Sequence, residues 1–81
     1  MTINIRVLFF GATARDVGDT QLDLPLPAGS TAKTAFEQLK QEFPALANHK
    51  ILFALDQKYV SGDEPLNEGG ELAIFTAVSG G

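Results

Sequence analysis

The sequence predicts an α+β domain in which a mixed sheet of four to five strands packs on one main helix. Three observations predict it. Apolar residues recur with a period of two at the start of the chain, again around residue 24 and again just before the end. One stretch, residues 30–43, carries the wider apolar spacing of a helix. The resulting order is strand, strand, helix, strand, short strand, strand, within 81 residues that supply one modest core and leave no room for a second domain.

Taken in order, Ile3, Ile5, Val7 and Phe9 alternate with Asn4, Arg6, Leu8 and Phe10, so Ile3 to Phe10 reads as a strand. One of its faces is core. The other begins polar and turns apolar at Leu8 and Phe10, as an edge covered by something or offered to a partner would. Gly11 to Gly18, G-A-T-A-R-D-V-G, is a short loop or turn of helix. Its paired glycines do not make a phosphate cradle, because Gly18 is followed by Asp19 and not by the Lys and Ser or Thr that such a loop needs. Arg15 and Asp16 are expected to be a solvated pair. Thr20 to Leu26 alternates again, with Leu22, Leu24 and Leu26 inward, and Pro25 has no N–H for a ladder and so belongs at an edge or strand end.

Ser30 and Thr31 offer hydroxyl caps to a helix whose core stripe is Ala32, Ala35, Phe36, Leu39 and Phe43, and Pro44 stops it. Ala45 to Asn48 reads as a turn. Ile51 to Leu55 is an unbroken apolar run, expected as a central strand buried on both faces. Asp56 and Gln57 turn the chain into a short return strand, Lys58 to Val60, and Ser61 to Pro65 is a polar connection. The final strand is Glu71 to Phe75, with Leu72 and Ile74 on one face and Ala73 and Phe75 on the other. If the first and last strands lie parallel in the middle of the sheet, Phe10 and Phe75 meet where the chain leaves it, and Tyr59 shares their face. Exposed aromatics gathered at one place mark an interface.

Composition narrows the chemistry. Cysteine is absent, which removes disulfides, a thiol nucleophile and a thiolate metal site. The lone histidine, His49, has no Cys, Asp or Glu at ligand spacing and reads as a surface residue; Asp63 and Glu64, adjacent in a turn, point apart and make no acid and base pair. A net charge of −4 repels nucleic acid phosphates and anionic lipid, and suits a basic protein partner better. No apolar run approaches a membrane span and no signal peptide pattern opens the chain, so the cytoplasm is the expected compartment.

What remains is the ending, Thr76, Ala77, Val78, Ser79, Gly80, Gly81. Glycine loses more conformational freedom on ordering than any other residue, so two in succession add little to a fold. Without a Cβ on either, a terminal carboxylate on Gly81 fits a channel closed to any other side chain. Six extended residues reach roughly 20 Å. The chain therefore divides into a domain over residues 1–75 and an expected flexible tail over residues 76–81.

Over nearly its whole length the chain resembles the small subunits of molybdopterin synthase, ubiquitin-like sulfur carriers of the β-grasp fold. The residues that carry the resemblance are V-L-F-F-G at Val7 to Gly11, Gly18, F-P-A-L at Phe43 to Leu46, I-L-F-A-L at Ile51 to Leu55, Pro65 and Leu66, and E-L-A-I-F at Glu71 to Phe75 followed by V-S-G-G. Thr76 and Ala77 stand where members of the family commonly have two prolines. The resemblance implies that Gly81 is the reacting residue and that Val78, Ser79 and Gly80 form the tail that delivers it. It implies an E1-like adenylating enzyme that uses ATP and Mg²⁺ to activate Gly81, a sulfur donor protein that leaves a thiocarboxylate there, and a large synthase subunit that passes the sulfur to cyclic pyranopterin monophosphate. The assembly implied is a heterotetramer of two small and two large subunits. No cofactor or metal is expected on this chain, which is a carrier subunit and not an enzyme by itself. Two rival readings are a carrier for thiamin or tRNA thiolation and a ubiquitin-like interaction module whose tail is inert.

Overall fold

The computed structural model describes residues 1–76, and the elements in chain order are β1 (Thr2–Phe9), α1 (Ala12–Val17), β2 (Gln21–Pro27), α2 (Ala32–Glu42), a 3-10 helix (Pro44–Asn48), β3 (Ile51–Leu55), β4 (Lys58–Val60) and β5 (Glu71–Thr76). The strands form one sheet in the order β2-β1-β5-β3-β4. β1 and β5 run parallel side by side, and every other neighbouring pair is antiparallel. With α2 across one face, this is the β-grasp arrangement.

The period of two in the sequence becomes the two faces of the sheet. Ile5, Val7 and Phe9 on β1, Leu24 and Leu26 on β2, and Leu72 and Ile74 on β5 are all buried under the helix. Ala32, Ala35 and Leu39 of α2 meet them, and Phe36 packs edge-on against Phe53 of β3 at 5.7 Å between ring centres. The helix begins where Thr31 accepts a hydrogen bond from the Thr34 amide at 3.2 Å, and it ends at Phe43, before Pro44. β2 is an edge strand, which is why Pro25 can sit opposite Asn4 without breaking a ladder on its far side.

Several expectations change in the folded chain. β3 is not buried on both faces: Phe53 is buried, but Leu52 faces outward at 38% exposure, because nothing among the described residues covers the second face of the sheet. The segment expected as a turn after Pro44 is a 3-10 helix that inserts Leu46, fully buried, beneath the end of α2. Asp16 does not form a solvated pair with Arg15. Its carboxylate meets His49 Nε2 at 2.5 Å, and the two side chains are 20% and 29% exposed, so they tie α1 to the end of the 3-10 helix. His49 lies 33 positions away in the chain, beyond any spacing rule. The first strand closes at Phe9, with Phe10 just outside it, and the last runs one residue further than expected because Thr76 pairs with Ile51.

Candidate functional site

The uncovered face of the sheet is built from the odd set of β5 and the matching residues of its neighbours. Ala73 lies opposite Leu8 on β1 and opposite Ala54 on β3, and Ala54 lies in turn opposite Tyr59 on β4. Phe75 lies opposite Leu52. Two alanines thus occupy neighbouring places on one face, and larger side chains surround them. The result is an open groove of about 520 Å³ whose floor is Ala54 and Ala73 and whose walls are Phe10, Tyr59 and Phe75, with Gly11, Gln57 and Thr76 at its margins.

The aromatic walls are held in different ways. Tyr59 and Phe75 stand on strands separated by β3, a gap of roughly 10 Å, yet their rings meet edge to face at 5.7 Å because Ala54 leaves the space above β3 open. Phe10 follows the end of β1 and is 52% exposed, while Tyr59 is 79% exposed. A monomer gains nothing from leaving such side chains in water, so a face of this kind is suited to a partner.

The structure brings together Phe10, Tyr59 and Phe75, the three aromatics singled out from the sequence. Val78, Ser79, Gly80 and Gly81 lie outside the described residues. The sequence reading missed the floor, Ala54 and Ala73, although the signal was available: once β3 and β5 are antiparallel neighbours, small residues in register on the outward face leave a depression. It also missed Thr13. This side chain is fully buried in the short helix α1, and its hydroxyl donates to the carbonyl of Ile74 at 2.8 Å.

At the other end of the same face the surface is polar. Arg6 lies between Asp23 on β2 and Glu71 on β5, with Asn4 and Glu68 beside them around a second shallow depression. Asp63 and Glu64 do not act on each other. Asp63 meets Lys33 at 3.4 Å in solvent, and Glu64 accepts from the Gly62 amide at 3.2 Å. Among the described residues no three His, Cys, Asp or Glu side chains are placed to hold a metal ion, and no helix is long and apolar enough to cross a membrane.

Comparison with known proteins agrees in both sequence and shape. The ThiS family profile matches residues 7–81. The molybdopterin synthase sulfur carrier subunit of Escherichia coli is 34% identical over 80 residues, which cover 95% of this chain and 99% of that protein. The protein of the same name from Arabidopsis thaliana is 30% identical over 82 residues, covering 99% of this chain and 85% of its own length. Among solved structures, small archaeal modifier protein 1 of Haloferax volcanii superimposes with a TM-score of 0.84 at 20% identity, over 94% of this chain and 99% of that one.

Proposed function

The chain belongs to the ThiS family, and on that premise we propose that it is the sulfur carrier subunit of a molybdopterin synthase. The observation that carries this reading is the end-to-end likeness to curated carrier subunits, 34% identity with 99% of the Escherichia coli protein covered. A chain that matches such a subunit over its whole length, and contains no cysteine, does its work as the bearer of a group and not as a catalyst.

The chemistry proposed for the bearer follows from the ending V-S-G-G. A C-terminal carboxylate has a pKa near 3.5, so at neutral pH it is ionised and a poor electrophile. An adenylating partner of the E1-like class makes it reactive: a carboxylate oxygen of Gly81 attacks the α-phosphorus of ATP, pyrophosphate departs, and the acyl-adenylate forms, with Mg²⁺ held by the partner. Sulfide-level sulfur delivered by a donor then attacks the acyl carbon, AMP departs with the bonding pair, and a thiocarboxylate remains. The sulfur is thus carried on the main chain, which reconciles sulfur transfer with the absence of cysteine. The large synthase subunit receives the loaded end and passes sulfur to cyclic pyranopterin monophosphate.

In this reading the groove walled by Phe10, Tyr59 and Phe75 is where partners grip the domain. Its position supports the role, because Thr76, the last described residue, lies on the groove margin. A partner seated there holds the domain beside the point from which residues 77–81 continue.

Mass spectrometry tests the proposal. Protein incubated with ATP, Mg²⁺, an adenylating enzyme of this class and a sulfur source gains about 16 Da at the C-terminal residue as oxygen is replaced by sulfur. No gain under conditions that load a related carrier overturns it in favour of an interaction module.

A further inference from the structure

We propose that Thr13 is a positioning residue: its buried hydroxyl pins the end of β5 to α1, and so fixes the point from which the reactive terminus is presented. This inference rests on the carrier reading above for its functional consequence, though not for its structural one. Thr13 is the fully buried polar side chain of the domain's described residues, at 0% exposure, in a six-residue helix whose Ala14 and Val17 pack against the core only partly buried.

The hydrogen bonds around it show what it does. β1 and β5 remain in register only as far as Phe9 and Ile74. Beyond that pair β1 ends, and the ladder's next bond, from the Phe10 amide to the Ile74 carbonyl, is long at 3.4 Å. The Thr13 hydroxyl supplies the shorter bond to that carbonyl, at 2.8 Å. It also lies 2.9 Å from the Phe10 carbonyl. A hydroxyl has one hydrogen. The Ile74 carbonyl is the nearer acceptor, and the Phe10 carbonyl has a second donor in the Thr13 backbone N–H at 3.3 Å, so the hydroxyl hydrogen is assigned to Ile74. At the same time the hydroxyl oxygen accepts from the Phe10 amide at 3.0 Å. One side chain therefore completes both the first residue after β1 and the last fully buried residue of β5, where the main-chain ladder is running out.

The consequence reaches the groove because Phe10 and Phe75 are the immediate neighbours of these bonded groups, and both are walls of the groove. A loosened Ile74 carbonyl lets the last two residues of β5 move relative to Phe10. A partner would then meet a groove of variable width and a terminus that starts from a variable place. Such an error raises the KM for loading more than it lowers kcat, since the chemistry belongs to the partner.

Three variants test this. Thr13→Val keeps the shape and removes the hydroxyl; Thr13→Ser keeps the hydroxyl and removes a methyl; Ile5→Val is a core methyl deletion on the same sheet, away from the tail root. Native-state hydrogen exchange is read first, without any partner. Thr13→Val is expected to speed exchange at the Phe75 amide at least tenfold relative to the Leu24 amide, and Thr13→Ser to restore it to within threefold of wild type. Equal acceleration at Phe75 and Leu24 in Thr13→Val would mean only a global loss of stability and would overturn the proposal. Loading by the adenylating partner is read second: KM rises about tenfold in Thr13→Val, with kcat within twofold, while Thr13→Ser and Ile5→Val load as wild type. Equal KM values in Thr13→Val and Ile5→Val overturn the functional half of the inference. If wild type itself does not load, the carrier reading has failed, and the exchange result still decides the role of the pin.

Discussion

Ala54 and Ala73 determine the shape of the candidate interface by what they lack. Each sits in register with a larger outward side chain, and their methyl groups form the floor between Phe10, Tyr59 and Phe75. Ala54→Leu is expected to fill that floor and push the Tyr59 and Phe75 rings apart. Binding to the proposed large-subunit partner should fall at least tenfold by calorimetry, while stability stays within about 0.5 kcal/mol because the face is open to solvent. At Gly81 the same logic runs in the opposite direction, since nothing bulkier fits the proposed path to the partner's active site. Gly81→Leu, or one residue added after it, should abolish loading in the mass-spectrometric assay and leave the melting temperature unchanged; a marked fall in that temperature would show that the last residue belongs to the fold. The aromatic walls were legible in the sequence because alternation assigned them to the outer face. The alanine floor and the Thr13 pin were not: alternation puts Ala73 on the outer face with Phe75, but that Ala54 falls beside it depends on strand pairing and register, and a single threonine carries no periodic signal.

At the scale of an element, the hairpin between β3 and β4 is the least comfortable part of the domain. Asp56 and Gln57 both hold positive φ, 49° and 72°, as a two-residue turn between right-twisted strands requires. Aspartate tolerates that conformation and here also accepts a hydrogen bond from the Glu71 amide at 3.1 Å. Glutamine has no such compensation. Gln57→Gly is therefore expected to stabilise the domain by about 1 kcal/mol, measured by urea unfolding. A loss of stability would mean that the Gln57 side chain at the groove margin contributes more than its backbone costs. By contrast, α1 ends comfortably. Gly18 adopts φ 84° at its C-terminus and donates its N–H to Ala14 at 2.8 Å. The sequence marked both places as turns, from Gly18 and from the polar pair Asp56 and Gln57, but it could not say which one carried strain.

For the molecule as a whole, stability depends on the two central strands, and on Leu72 in particular, which is fully buried between α2 and the sheet on a strand bonded to β1 and β3. Leu72→Ala should cost about 3 kcal/mol, lowering the melting temperature by roughly 15 °C in a domain of this size. A much smaller change would mean that the core relaxes into the vacated space. This central placement also connects stability to function, because β5 holds the core with one face and shapes the groove with the other, and the chain leaves the sheet from its end. The sequence by itself determined the strands, the main helix, the inward faces of the first, second and last strands and the glycine ending, because all of these are written in local spacing and in residue types with few uses. Only the tertiary structure decided that β3 keeps an open face, that Asp16 meets His49, that two alanines fall in register and that Thr13 reaches the Ile74 carbonyl. Those facts depend on which strands become neighbours and in what register, and that choice is made by burying the whole core at once, across separations that no short pattern spans.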